Sequence, residues 1–247
     1  MTALRGDRYR ADAKIRSTCS VVDVAGCATY RTPALSPGDA KWFSAHQFVV
    51  AQNLLVLQRA GRLASQPHDG MTVTEFSSRS LSSKKQQALL DELLAIDAAA
   101  FGAPWQLTQS SFLHACHTTT DHRVIIAHRT VPEGVTSRRS AIAQVLGFVI
   151  VGRGGVRSYL QRLAVHSQAR RSGVAHLLVH AAAHWANNRG ASEMLVNTEP
   201  ANVAALALYR KLGFVALPEP LIVMQRAVAL PTNEDQTGTS TNRVVHP

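Results

Sequence analysis

Apolar positions along this chain keep two different rhythms. Leu89, Leu90, Leu93, Leu94 and Ile96 recur at helical spacing and predict a helix over residues 84–100. Ser83 stands ahead of it as an N-cap, and Gly102 and Pro104 close it. Residues 173–189 read as a second long helix, with Leu177, Leu178, Ala181 and Trp185 as its buried stripe. Shorter helices are expected at 39–46, capped by Asp39, at 108–117, and after Asn202. Apolar, β-rich runs predict strands near 20–24, 28–32, 54–57 within the β-rich stretch 48–60, 72–76, 124–128, 143–151, 158–165, 193–197, 214–216 and 221–226. Strands alternating with helices predict a mixed α/β (α+β) sheet.

Breaks in this pattern suggest the organisation. The polar run Ser65-Gln66-Pro67-His68-Asp69-Gly70 reads as a connector. It divides an N-terminal lobe, residues 1–66, from a larger domain, residues 67–230. The tail, 231–247, is rich in Thr, Asn and Gly and is expected to be disordered. A faint repeat links the lobes. Phe43-Ser44-Ala45-His46-Gln47-Phe48-Val49 resembles Tyr209-Arg210-Lys211-Leu212-Gly213-Phe214-Val215. Leu54-Leu55-Val56-Leu57-Gln58-Arg59-Ala60 resembles Leu221-Ile222-Val223-Met224-Gln225-Arg226-Ala227, and one gap aligns both halves.

Composition changes this picture little. The apolar runs fall well short of the ~20 residues that cross a bilayer, and no signal-peptide pattern opens the chain, so a cytoplasmic protein without membrane contact is expected. Cys19, Cys27 and Cys116 lack metal spacing and read as reduced thiols. The net charge of +10, mostly from arginine, favours polyanions. Association with RNA or the ribosome rests on that charge alone, because no RNA-binding fingerprint accompanies it.

The chemistry concentrates downstream. Arg170-Arg171-Ser172-Gly173-Val174-Ala175 lies between a strand and a helix start. Unpartnered N–H groups and the helix dipole make such a turn an anion site, and the small residues let a phosphate approach. The stretch Leu163-Ala164-Val165-His166-Ser167-Gln168-Ala169 leads into it. Further on come Asn202-Val203-Ala204-Ala205-Leu206-Ala207-Leu208-Tyr209-Arg210-Lys211-Leu212-Gly213-Phe214. Together these resemble the fingerprint of the GNAT acetyltransferase superfamily over residues 71–227. Asp97-Ala98-Ala99-Ala100-Phe101-Gly102-Ala103-Pro104-Trp105 is similar to a substrate-side loop found in two groups of that superfamily. These are actinobacterial-type proteins of unassigned substrate, the nearer likeness, and ribosomal-protein alanine N-acetyltransferases, the weaker one.

The resemblance implies a GNAT fold: a twisted, mostly antiparallel sheet flanked by helices, with one splayed parallel strand pair. It implies acetyl-CoA as co-substrate; no metal is expected, because no carboxylate or cysteine stands at ligand spacing with His176, His180 and His184. The pantetheine arm would lie in the splay on Leu163, Ala164 and Val165, and the pyrophosphate on Arg170, Arg171, Ser172, Gly173, Val174 and Ala175. Asn202 would hold the arm or cap its own helix. Tyr209, two turns beyond it, would protonate the departing thiolate, unless it is simply a core tyrosine. For the base, the alanine enzymes carry a Glu where this chain has Asn197. Glu199, with the same strand parity, is the runner-up; Glu193, His166 and a water relay stay open. The acceptor would be a primary amine, on a protein N-terminus or a small molecule. A non-catalytic acyl-CoA-binding domain is the alternative. Phe101 and Trp105 either line the acceptor pocket or plug the core. His176, His180 and His184 share one helix face, expected to be turned to solvent or a polar seam. The N-terminal repeat would then be a degenerate copy of the superfamily's last helix and hairpin, packed on the catalytic lobe.

Overall fold

Capping side chains set where the helices begin. Ser83 Oγ accepts the Gln86 N–H (3.2 Å), and Thr108 with Ser111 forms a reciprocal capping box. Ser36, not the expected Asp39, caps the short N-terminal helix by accepting the Asp39 N–H (3.2 Å). Pro37 then fits the first turn, where no N–H is needed. The structure, a computed structural model, describes residues 11–24, 27–63, 70–76, 83–130 and 144–228. Its elements are α1 (11–18), β1 (Ser20–Val24), β2 (Cys27–Arg31), α2 (Pro37–Ser44), β3 (Val49–Ala60), β4 (Met71–Phe76), α3 (Lys84–Phe101), α4 (Gln109–His117), β5 (Asp121–Arg129), β6 (Val145–Gly154), β7 (Arg157–Val165), α5 (Val174–Asn187), β8 (Glu193–Thr198), α6 (Val203–Lys211), β9 (Val215–Ala216) and β10 (Leu221–Ala227). The expected lobe boundary at 66 and the tail from 231 lie outside the described residues.

One sheet runs β1-β2-β10-β3-β8-β7-β6-β5-β4, with β9 paired to β3. Among the described residues every ladder is antiparallel except β7–β8. The result is the expected mixed sheet. Helices α5 and α6 cover one face over a core that includes Leu57, Val149, Leu160, Leu178, Val196 and Tyr209. Helices α3 and α4 cover the other over Val124, Ile126, Phe148, Ile150 and Ala164. A third cluster joins Ile15, Phe43, Phe48 and Met224.

The repeat is visible in three dimensions. Phe48 N–H bonds to Phe43 O (3.1 Å), and Phe214 N–H bonds to Tyr209 O (2.9 Å). The ring pairs sit 5.1 and 5.4 Å apart. Gln47 holds φ 64°, the left-handed conformation that Gly213 holds at φ 80°. Ser36 and Asn202, equivalent in the repeat, each cap the N–H three residues on.

The last strands of the two copies have crossed over. Strand β3 pairs with β8, whereas β10 pairs with β2. Strands β3 and β10 also pair with each other, and the equivalent residues Leu54 and Leu221 stand directly opposite. The arrangement is a pseudo-two-fold exchange. Helix α2 accordingly packs on the other copy's strand β10 at Met224, and Leu57 of β3 shares a core with Leu206 and Tyr209 of α6. The N-terminal segment thus shares one continuous sheet with the rest of the chain.

Leu57 and Met224 are each 1% exposed and occupy equivalent positions. Leu57→Ala and Met224→Ala should each cost about 2–5 kcal/mol, as buried large-to-small changes do. Urea denaturation monitored by circular dichroism checks this. A loss below about 1 kcal/mol at either site would mean that exchanged strand is peripheral.

Candidate functional site

The parallel ladder between β7 and β8 starts at Arg157↔Glu193 and stops at Leu160↔Val196. Beyond it β7 stays with β6 as far as Val165↔Gly147, and β8 stays with β3 as far as Thr198↔Leu55. The strands part because β7 bulges. Leu160 faces Val151 and Arg162 faces Ile150, so Gln161 is an extra residue. The bulge also exchanges faces: Leu160 joins the α5-side core and Ala164 the opposite one. Gly147 permits the close approach at the far end, since a Cβ there would fall 2.5 Å from the Ala164 carbonyl oxygen. Leu163 and Val165 lie half-buried on the α5 side. On the side facing β8 their backbone lies beyond the end of the ladder.

From Val165 the chain enters the turn. His166 Nδ1 accepts the Gln168 N–H (3.3 Å), and Ser172 Oγ donates to Ala169 O (2.7 Å). Ala169 and Val174 are buried and anchor the two ends. Between them Arg171 (φ 66°) and Gly173 (φ 91°) take left-handed conformations. Such reversals gather successive N–H groups into an anion-binding concavity. Among the described residues no side chain caps α5, so its first N–H groups stay available, with the dipole behind them. The exposed Arg170 and Arg171 add positive charge. This donor set suits a pyrophosphate, and the open edge of β7 suits an extended amide-bearing arm.

Helix α6 starts beside the same opening. Asn202 Oδ1 accepts the Ala205 N–H (3.1 Å), which commits that oxygen to capping. Tyr209 is 5% exposed, and its burial pushes the phenol well above the ordinary tyrosine range. Along β8, Met194, Val196 and Thr198 are buried while Asn197 is exposed. Glu199 follows, half-buried, its carbonyl accepting the Asn202 N–H (3.0 Å). Glu193 lies at the closed end of the parallel pair, bound to Arg157 (2.5 Å) and Gln58. That position removes it from the opening.

Sequence reading missed the strongest polar contact. Asp97, on α3, is fully buried. Arg162 Nε donates to its Oδ1 (2.6 Å) and Nη2 to its Oδ2 (2.8 Å). The same Oδ2 accepts the Leu107 N–H (2.7 Å), and Nη2 also donates to Trp105 O (2.8 Å). Arg162 lies 3.3 Å over the Phe101 ring, and Arg31 lies 4.1 Å over the Trp105 ring. Phe101 and Trp105 thus serve as platforms for two arginines. Nothing in the local pattern links position 97 to 162; the signal was an acid one turn ahead of an aromatic, which marks α3 and not its partner. The histidine expectation needs correcting too. His180 is buried, because α5 turns it toward the sheet between two cavities of about 360 and 450 Å³. His184 is exposed.

The sequence profile of the acetyltransferase (GNAT) family matches residues 90–214, half of this chain. The chain belongs to the GNAT acetyltransferase family. It is 39% identical over 59 residues to N-alpha-acetyltransferase 30 of Schizosaccharomyces pombe, covering 24% of this chain and 39% of that protein. It is 36% identical over 77 residues to N-acetyltransferase 8 of Homo sapiens, covering 31% and 34% respectively. The matched region is thus little more than a third of either relative's length. Among solved structures, a GCN5-related N-acetyltransferase from Sphaerobacter thermophilus gives a TM-score of 0.52 at 15% identity, covering 81% of this chain and 60% of that one. A tandem GNAT protein from the clavulanic acid biosynthesis pathway gives 0.52 at 14% identity, covering 87% and 64%. At such identities these show a shared fold. No helix among the described residues is long and apolar enough to cross a membrane.

Asp97→Asn leaves the Arg162 guanidinium half-buried without its counter-charge, and should lower stability by about 3–5 kcal/mol in urea denaturation. An unchanged midpoint would show that Asp97 is not needed to hold α3 on β7. For Tyr209, the raised pKa means its contribution is whole below the ordinary value near ~10 and is lost as pH rises above it. Stability of the wild type should therefore fall more steeply above about pH 10 than that of Tyr209→Phe. Parallel curves for the two proteins would contradict the buried phenol.

Proposed function

We propose that this protein is an acyltransferase that moves the acetyl group of acetyl-CoA onto a primary amine by direct attack. The carrying observation is the uncapped start of α5, with left-handed Arg171 and Gly173, at the mouth of the β7–β8 opening. Membership of the GNAT family and two relatives named as N-acetyltransferases support the same reading. When bound, acetyl-CoA supplies an activated acyl carbon and a thiol leaving group. Backbone groups of Leu163, Ala164 and Val165 hold the extended arm, and N–H groups from Arg170 to Ala175 hold the pyrophosphate. Holding both reactants together supplies much of the rate.

The proton inventory closes with two side chains. Glu199 takes a proton from the attacking amine as the N–C bond forms. Tyr209 keeps its phenolic proton at neutral pH and gives it to the sulfur as the C–S bond breaks. The Asn202 amide nitrogen remains for the arm, while its oxygen caps α6. The acceptor is a primary amine, on a protein N-terminus or a small molecule.

Calorimetry with acetyl-CoA, joined to a free-thiol assay over amines and N-terminal peptides, tests the proposal. Binding with turnover is expected, and Tyr209→Phe should lower kcat about 10²-fold while leaving acetyl-CoA affinity nearly unchanged. Binding without turnover on any amine would make this a non-catalytic acyl-CoA-binding domain. Absence of binding would overturn the assignment of the turn.

A further inference from the structure

Arg31 ends β2 as a buried cation without a counter-ion among the described residues. The residue is 7% exposed. Nη2 donates to Gln225 Oε1 (3.1 Å), but Nε and Nη1 are buried and lack a hydrogen-bond partner among the described residues. No carboxylate pairs with it among the described residues. Burial depresses its pKa from the ordinary arginine value. Buried charges are otherwise paired, and each orphaned donor calls for an explanation. A guanidinium edge with two idle donors matches the two oxygens of a carboxylate.

Strand register places this fork at the opening. Strand β3 is antiparallel to β8, and Leu55 faces Thr198 at the end of β8. Residues 49–54 of β3 therefore run past β8 in the direction in which β7 and β8 diverge. There Val49 faces Gln225 of β10, and Gln225 faces Arg31. Val49 and Val50 leave exposed apolar surface there. From the other side comes the loop between α3 and α4. Its Trp105 carbonyl accepts from Arg162, just past the bulge, while its ring stacks on Arg31. Trp105 thus spans from the parted strands to the orphan guanidinium.

We infer that Arg31 receives a carboxylate of the acceptor, so that the substrate is an amine that also carries a carboxylate. This rests on the acetyltransferase reading above. The acceptor's amine lies toward the β7–β8 opening and its carboxylate toward β2, displacing the Trp105 indole from the guanidinium as it enters. The exchanged N-terminal strands thereby supply substrate recognition as well as support.

The test compares an amino acid with its carboxamide, and peptides with Asp or Asn after the N-terminal residue, on wild type and on Arg31→Met. Wild type should favour the acid over its amide about 10- to 100-fold in kcat/KM, chiefly through KM. Arg31→Met should erase the preference, leave the amide and acetyl-CoA binding unchanged, and melt no lower than wild type, since it removes an unpaired buried charge. A preference confined to free amino acids marks a small-molecule acceptor; one extending to Asp peptides marks a protein N-terminus. Equal use of acid and amide by wild type would overturn the inference and leave the acetyltransferase reading standing. A lower Tm with equal loss on both substrates would overturn it in favour of a structural arginine. If no amine is acetylated, tryptophan fluorescence on titration with the N-acetylated amino acid decides: a saturable change in wild type but not in Arg31→Met keeps the carboxylate site, and no change overturns it.

Discussion

Leu54 and Leu221 stand opposite each other in the β3–β10 ladder, and the exchange of strands about that pair governs the rest of the sheet. Two strands that each belong to a different copy of the repeat bond to one another there. Each then continues as the outer neighbour of the other copy's strand, β3 along β8 and β10 along β2. Neither half can close its sheet without the other. The buried counterparts Leu57 and Met224 show the same reciprocity in side-chain packing. A backbone edge left open would expose unpaired N–H and C=O groups, and the exchange removes two such edges at once.

The opening depends on this closure. Strand β8 can leave β7 after Val196 because β3 still satisfies its other edge through Thr198. Strand β7 can leave β8 because β6 pairs with it past the bulge, and Gly147 lets the two backbones come close. The splay is therefore a gap between two strands that are each held on the far side. That leaves main-chain groups of β7 beyond Leu160 outside the ladder with β8. The turn that follows adds N–H groups at the start of α5, so backbone geometry builds most of the site and side chains contribute little to its shape.

Side chains matter more on the opposite face. The Asp97–Arg162 pair fastens α3 to β7 at the bulge, and one further bond from Arg162 fastens the Trp105 loop. A fully buried carboxylate needs every oxygen engaged, and Asp97 obtains this from Arg162 and the Leu107 N–H. Arg31 has no such arrangement although it stacks on the same loop. One arginine is consumed by the scaffold, and the other is left with donors to offer.

The sequence by itself determined the elements and the turn at Arg170–Ala175. Apolar spacing in Leu90, Leu93 and Ile96, the cap Ser83, and the Gly173 turn are local facts, decided within a few residues by backbone sterics and hydrogen bonding. The repeat was also legible, because equivalent local tasks call for similar residues, as Phe43 with Phe48 and Tyr209 with Phe214 show. Tertiary structure decided what those pieces meet. That β3 crosses to β8, that Asp97 finds Arg162, that His180 turns inward and that Arg31 is buried unpaired are all non-local outcomes. Strand order and charge pairing join positions far apart in the chain, and a side chain's own neighbourhood in sequence carries no record of a partner reached only when the sheet closes.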